Sequence, residues 1–122
     1  MLQHVTLEVR PDQVRACVAF WELLGFEELE PPEILRNRFT WIGKDDTHIH
    51  LVPLDTPAVP TEGHTAVVSD DAEAAVATLR EHGFYPQPGS NAWNAPRWFV
   101  HDPAGHRVEV MSAPPPSEPV GA

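Results

Sequence analysis

Three imidazoles and one carboxylate stand at matching places in the two halves of the chain, and together they could bind a divalent metal ion. The separation of His4 from His64 nearly equals that of His50 from Glu109. A mixed imidazole and carboxylate set suits a divalent ion of the first transition row, here Ni, Zn, Mn, Co or Fe(II), and four protein ligands leave a coordination position open. We therefore predict that these four residues are metal ligands around an open, reactive position.

An ion with an open position can hold two oxygens of a substrate and act as a Lewis acid. It then lowers the pKa of an adjacent carbon acid or stabilises an enediolate as charge moves onto oxygen. Proton transfer also needs a base. Glu8 shares a predicted strand face with His4 and is a candidate catalytic residue, the alternative being a solvated or dimer-facing carboxylate.

The strands that carry these residues must present them on one face of a sheet. Side chains alternate between the two faces of a strand, so apolar residues of one parity mark the face that packs beneath the helices. This role falls to Val5, Leu7 and Val9 in the first strand, Ile49 and Leu51 in the fourth, and Val108 and Val110 in the last. His4, His50 and Glu109 therefore fall on the opposite face. His64 joins them through its equivalence with His4, because the parity of its own strand is mixed.

The order of elements repeats, which indicates an internal duplication. Apolar periodicity predicts a strand at 3–9, a helix at 11–24 and strands at 26–30, 36–43 and 47–52, and then a strand at 63–69, a helix at 71–82 and strands at 84–88, 96–102 and 106–112. Gly25 and Gly83 end the two helices, since glycine readily takes the left-handed conformation found there. Asp70 or Asp71 caps the second helix.

We therefore predict an α+β fold of two tandem βαβββ modules in a single domain. The domain covers residues 1–112, with modules at about 1–52 and 63–112. The segment 53–62 holds three prolines and no periodicity, so it is predicted to be the linker. The tail 113–122 contains four prolines and no aromatic residue, and we expect it to be disordered.

Composition excludes several classes of partner. The formal net charge is -10, from 18 acidic and 8 basic residues, which disfavours binding to nucleic acid or an anionic membrane. The chain has neither an apolar run of about 20 residues nor a leader-like N-terminus, so we expect a cytoplasmic protein. The single cysteine, Cys17, lies in the apolar pattern of the first helix and is predicted to be a buried, inert thiol.

Aromatic and basic residues near the predicted ligands suggest a substrate pocket. Its predicted lining is His48, Phe39, Trp41, Arg38, Trp93, Arg97 and Trp98. The aromatic side chains suit an apolar or aromatic ligand, and the arginines suit a carboxylate or phosphate. The alternative is that the aromatic residues belong to the core and the arginines are solvated or paired with the acidic excess.

Five short motifs together resemble the vicinal-oxygen-chelate superfamily, which includes glyoxalases, bleomycin-resistance proteins and extradiol dioxygenases. They are His4–Val9, Ala19–Phe26, Ile49–Leu51, Gly63–Val67 and Asp102–Glu109, and their order and spacing span about nine-tenths of the chain. The resemblance implies curled mixed sheets around a metal-centred cleft, usually completed by homodimerisation. It also implies that the ligands come from the first and last strand of each module, and that Glu109 can leave the ion to take a proton.

The resemblance leaves the reaction open. Glyoxalase I enzymes usually place a carboxylate where this chain has His50, whereas extradiol dioxygenases would use His4, His64 and Glu109 alone. Our first hypothesis is a metal-dependent lyase, isomerase or dioxygenase acting on a small oxygenated substrate. The alternative is a non-catalytic protein of the bleomycin-resistance type that sequesters a small molecule or antibiotic. A third possibility is a site that is kept for dimer stability alone.

Overall fold

Each half of the chain folds into a strand, a helix and three further strands. The computed structural model describes residues 1–121. The first half contains β1 (His4–Val9), α1 (Val14–Leu23), β2 (Glu27–Leu29), β3 (Thr40–Lys44) and β4 (Thr47–Pro53). The second half contains β5 (His64–Val68), α2 (Ala72–Glu81), β6 (Gln87–Pro88), β7 (Arg97–His101) and β8 (Arg107–Met111). The predicted order of elements is confirmed.

The strands form two four-stranded sheets with the same connectivity. Their orders are β1-β4-β3-β2 and β5-β8-β7-β6. In each sheet the first and last strands of the repeat are parallel, and the other neighbours are antiparallel. The crossover from the first strand to the last therefore includes a helix in both halves, as parallel pairing requires. This architecture confirms the predicted α+β class.

The strand register shows the duplication residue by residue. In the first sheet Thr6, His50 and Trp41 lie side by side on adjacent strands. The equivalent row in the second sheet is Ala66, Glu109 and Phe99. His50 and Glu109 thus occupy the same position in their sheets. In the neighbouring row His4 is paired with His48, and His64 with Arg107.

The core lies between the helices and the inner faces of the sheets. Its fully buried members include Phe20, Trp21, Ile49 and Val108. Residues of one parity on each strand supply this core, as the alternation rule predicts. The mixed parity of β5 is resolved by burial, because Val68 on the outer face is 49% exposed.

The two modules are held together by contacts between their helices. The rings of Phe20 on α1 and Phe84 after α2 meet edge to face, with centroids 5.0 Å apart. Both helices end at a glycine with positive φ, 90° at Gly25 and 87° at Gly83. Asp71 caps α2 by accepting a hydrogen bond from the Ala74 amide at 3.0 Å. Neither ten-residue helix described in residues 1–121 is long and apolar enough to cross a membrane.

Two predicted strands are shorter than expected. β3 begins at Thr40 rather than residue 36, because a 3₁₀ turn at Glu33–Leu35 continues into a bend in which the Phe39 amide donates to the Leu35 carbonyl at 3.0 Å. β6 is reduced to Gln87–Pro88, since prolines 86 and 88 have no amide hydrogen for the ladder. Residues 113–121 of the tail contain no helix or strand.

Candidate metal centre

The predicted ligands lie on the outer faces of the two sheets, in two groups. We call the first the imidazole cluster, which consists of His4, His48, His50 and Trp41. The second is the carboxylate cluster, which consists of Glu109, His64, Arg97, Phe99 and Arg107. Each cluster lies on the side of its sheet that faces away from the helices.

Stacked rings hold the imidazole cluster together. The His50 ring is sandwiched between Trp41, at a centroid distance of 4.3 Å, and His4, at 4.1 Å. His48 Nδ1 and His50 Nε2 share a hydrogen bond of 3.2 Å. Burial, followed by the nearby His4 and His48 rings, lowers the pKa of His50 to about 4. The His50 ring is therefore neutral at physiological pH, which is the form that binds metals.

A buried carboxylate lies at the centre of the carboxylate cluster. Glu109 Oε1 is 3.0 Å from His64 Nε2, and Glu109 Oε2 accepts a hydrogen bond from Arg97 Nη1 at 3.0 Å. The Glu109 side chain is 5% exposed. The other ring nitrogen of His64, Nδ1, donates to the Glu62 carbonyl at 2.9 Å. In neutral His64 the lone pair on Nε2 therefore faces an oxygen of Glu109, and either a proton or a cation must join the two.

Arg97 is held rigidly beside this carboxylate. Its Nε donates to the Ser90 carbonyl at 3.1 Å and its Nη2 to Ser90 Oγ at 2.7 Å. Its guanidinium carbon also lies 4.7 Å from the centre of the Trp93 ring. A Cβ at Gly89 would lie 3.1 Å from Arg97 Cγ and from Phe99 Cε2, so glycine lets the loop close over the arginine. The segment 89–96 thus fixes the position of Glu109 through Arg97.

The two modules share a cavity beside the clusters. It has a volume of about 300 Å3, and its lining includes His4, His48 and His64. Within residues 1–121, however, no three His, Cys, Asp or Glu side chains lie close enough together to hold one ion. The structure brings the four predicted ligands together as two pairs, His4 with His50 and His64 with Glu109.

The donor atoms of the carboxylate cluster fit a first-row divalent ion. With bonds of about 2.1 Å, two adjacent ligand atoms of an octahedral ion lie about 3.0 Å apart. His64 Nε2 and Glu109 Oε1 have this separation. A metal-binding histidine usually donates its other ring nitrogen to a carbonyl or carboxylate, and a metal-binding carboxylate is usually hydrogen-bonded as well. Glu62 and Arg97 supply these outer contacts, and Gln3 Oε1 accepts from His4 Nδ1 at 2.7 Å.

Several other predicted site residues have different surroundings. Glu8 Oε1 accepts a hydrogen bond from the Ala58 amide at 2.9 Å, so this carboxylate anchors the linker. Trp98 pairs with Val110 on the inner face of its sheet and packs against the hydrophobic core, and together with Arg97 it lines a cavity of about 480 Å3 beside the segment 89–96.

Two more of the predicted pocket residues, Arg38 and Phe39, lie close to each other before β3. Phe39 lines a separate cavity of about 440 Å3 beside β2. The Arg38 guanidinium lies over the Phe39 ring at 5.1 Å. Both precede β3 in the bend that replaces the predicted strand.

Sequence reasoning missed the contributions of Ser90, Gln3 and Arg107. For Arg107 the sequence did contain a signal, because strand alternation places it on the same face as Glu109. Its guanidinium carbon lies 3.8 Å from the centre of the Phe99 ring, and the His64 ring meets the same ring edge to face at 5.3 Å. Ser90 and Gln3 had no signal, because their roles depend on loop and side-chain positions.

Comparisons with known proteins agree with the fold described above. A family model described as the Glyoxalase/Bleomycin resistance protein/Dioxygenase superfamily matches residues 2–110. A search of curated proteins finds no significant match. Among solved structures, a glyoxalase family protein from Bacillus anthracis superposes with a TM-score of 0.83 and 24% identity, covering 91% of this chain and 93% of that one.

Two further solved structures show the functional range of similar folds. A lactoylglutathione lyase from Agrobacterium tumefaciens has a TM-score of 0.70 and 16% identity, over 91% of this chain and 92% of its own. An antibiotic-binding protein from Streptomyces sp. CB03234 has a TM-score of 0.69 and 25% identity, over 91% and 93%. The family match over most of the length, together with the duplicated fold, leads to one conclusion: the chain belongs to the Glyoxalase/Bleomycin resistance protein/Dioxygenase superfamily.

Proposed function

We propose that the protein is a divalent-metal-dependent enzyme that acts on a small oxygenated substrate. The observation that carries the proposal is the 3.0 Å separation of His64 Nε2 from Glu109 Oε1. Each of these residues has its other polar atom tied to an outer partner, Glu62 or Arg97, which leaves the facing pair as donors. This arrangement would let His64 Nε2 and Glu109 Oε1 hold one ion between them.

The remaining donors come from the imidazole cluster. His4 and His64 line the same cavity, and His4 stacks directly on His50. His4 is exposed at the start of β1, so its ring can adjust towards an ion held by the other module. We therefore propose that His4, His50, His64 and Glu109 would hold the ion; His64 and Glu109 already face each other in the structure.

The chain's own residues would then bind and orient the substrate. When bound, the ion supplies Lewis-acid polarisation of substrate oxygens. Trp41 forms an apolar wall behind His50, and the low pKa of His50 keeps that ring uncharged beside the substrate. Glu109 is the proposed base: its Oε1 would leave the ion to accept the proton, while Arg97 would keep the carboxylate oriented by donating to Oε2. The reaction class is a lyase, isomerase or dioxygenase, and we propose that the protein works as a homodimer in the cytoplasm.

A second candidate function is binding without turnover. Both oxygens of Glu109 already have nitrogen partners, because His64 faces Oε1 and Arg97 donates to Oε2. If His64 is protonated, the carboxylate is satisfied without an ion. The similarity to an antibiotic-binding protein gives this alternative a precedent in the same fold. The protein would then sequester an apolar or aromatic molecule in its cleft.

The decisive experiment is metal stoichiometry. Protein purified without chelator and refilled separately with Ni, Zn, Mn, Co or Fe(II) is analysed by mass spectrometry of its metal content. We expect about one ion per chain, with binding weakened more than about a hundredfold in His64→Ala and Glu109→Gln. His82→Ala is the matched control, since His82 is exposed at the end of α2 and donates to the Thr78 carbonyl.

The outcomes separate the two functions. If no metal is retained at stoichiometric level, or if His82→Ala loses as much metal as His64→Ala, the metal-dependent proposal fails. The binding function predicts instead that ligand affinity persists when His50→Ala and Glu109→Ala are combined.

A further inference from the structure

We infer that Arg107 binds an anionic group of the ligand, so the substrate of this site carries a carboxylate or a phosphate or phosphonate group. That the anionic group belongs to a substrate, rather than to another ligand, rests on the proposed function. Arg107 lies two residues before Glu109 on β8, on the same face of the sheet, and is paired across the strands with His64. A group bound to Arg107 therefore lies beside His64 and Glu109, whose proposed donor atoms face each other at 3.0 Å.

The guanidinium of Arg107 is held in a defined orientation. Its central carbon lies 3.8 Å from the centre of the Phe99 ring. The same ring contacts His64 and also lies 5.2 Å from the Arg97 guanidinium carbon. Stacking of this kind fixes the plane of an arginine and leaves its edge free for two parallel hydrogen bonds to an oxyanion. The side chain is 26% exposed, so a ligand can reach it.

Arg97 and Arg107 differ in what neutralises them. Arg97 is 13% exposed and pairs with buried Glu109, so its charge is already neutralised within the protein. In the described chain, the polar contact of the Arg107 side chain is Glu62 Oε2 at 3.4 Å, and the Glu62 side chain is 89% exposed. A long ion pair with an exposed carboxylate is weak. Glu62 therefore competes only weakly for Arg107, and an anion that binds the guanidinium edge can displace it.

The placement also matters because cations are scarce in this protein. The chain contains eight Lys and Arg residues and 18 Asp and Glu residues. A negative protein repels anionic ligands over long distances, so an anion-binding site needs a dedicated local cation. Two of the eight cations flank the Phe99 ring, next to the candidate metal centre. In the first module the position equivalent to Arg107 is His48, so the anion site belongs to the second module alone.

The inference is tested with simple anions on the full chain. Metal-free protein is titrated with inorganic phosphate, with acetate and with acetamide, an uncharged match for acetate, at constant ionic strength. Binding is followed by NMR through the Arg107 Nε–H signal. We expect saturable shifts with at least one anion and none with acetamide, and the comparison of phosphate with acetate shows which oxyanion geometry is preferred.

Two variants with opposite expected effects sharpen the test. Arg107→Gln should weaken anion binding by at least about tenfold, followed through the backbone amide signals around residue 107. Glu62→Gln should strengthen it, because the competing carboxylate is gone. Arg36→Gln is the control, since Arg36 makes an exposed ion pair with Glu30 beside β2. Arg107→Lys keeps the charge but not the planar edge, so it should bind anions with intermediate affinity. It also serves as a folding control, because it tests the site even if Arg107→Gln fails to fold.

The inference is overturned if wild-type protein shows no saturable shift, if acetamide binds as well as acetate, or if Arg107→Gln matches Arg36→Gln. Because the titration uses metal-free protein, it remains informative if the metal stoichiometry experiment fails. Conversely, a stoichiometric metal without anion binding would sustain the proposed function and remove only the assignment of an anionic substrate.

Discussion

Replacing Arg97 with methionine would leave the buried Glu109 carboxylate with His64 as its remaining partner in the structure. The Arg97 side chain is 13% exposed and the Glu109 side chain 5%, so solvent does little to screen the pair. Removing one partner of a buried ion pair typically costs about 3 to 5 kcal/mol, because the other charge stays buried without compensation. We expect a loss of about 3 kcal/mol in the free energy of unfolding.

A double replacement separates the charge from the packing. In Arg97→Met combined with Glu109→Met, both charges are gone and the space is filled with flexible apolar side chains. Such an exchange is often close to neutral. The double variant should therefore be more stable than Arg97→Met alone, although the arginine's bonds to Ser90 and its stacking on Trp93 are lost in both.

The measurement is urea unfolding of metal-free protein at about pH 8, followed by tryptophan fluorescence and circular dichroism. Arg15→Met is the control, because Arg15 pairs with Glu28 on the surface, and it should cost less than about 1 kcal/mol. A loss below about 1 kcal/mol in Arg97→Met, or a double variant less stable than the single one, would refute the view that Arg97 compensates a buried charge.

Three further predictions concern the core and the clusters. In the unfolded chain the pKa of His50 is near 6.5, whereas folding lowers it to about 4. The unfolded state therefore binds more protons, and the stability of metal-free protein should fall as the pH drops from about 6.5 towards 4. His50 should account for a loss of about 2 kcal/mol in the free energy of unfolding between pH 7.5 and 5. Urea unfolding of wild-type protein and His50→Gln at both pH values measures this loss, and equal pH slopes in the two proteins would contradict it. Cys17 is fully buried, and burial raises the pKa of its thiol to about 12, so it should not react with a disulfide reagent in native buffer and should react at the rate of unfolding in denaturant. Rapid labelling of native protein would show that the α1 packing is wrong. Gly89→Ala places a methyl group 3.1 Å from Arg97 Cγ, so the melting temperature should drop by an amount that corresponds to about 1 to 2 kcal/mol, and an unchanged value would mean that the loop does not close over the arginine.

Alternation along the strands could be predicted from sequence with good accuracy. Val5, Leu7 and Val9 lie on the inner face of β1, and His4 lies on the outer face, as the period of two requires. Glycines at residues 25 and 83 end the helices where expected. These features are local, because each depends on a few consecutive residues and on the chirality of the backbone.

The inward position of Trp98 also follows from alternation. Arg97 and Phe99 share the outer face of β7, so Trp98 between them must point inward, where it packs against the core. The strand predicted at 36–43 begins only at Thr40, for a reason that is not visible in the sequence pattern. The 3₁₀ turn before β3 depends on local hydrogen bonds that an apolar pattern does not reveal.

The amino-acid sequence by itself determined the repeat, the two modules, the helix ends and the face on which His4, His50 and Glu109 lie. Periodicity and capping are encoded by neighbours along the chain, so no tertiary contact is needed to recognise them. Only the tertiary structure decided that Arg97 closes on Glu109, that His50 lies between Trp41 and His4, and that Phe99 carries Arg107. These contacts join residues on different strands and loops, and their geometry follows from how the sheets twist and how the segment 89–96 folds back, which no local pattern encodes.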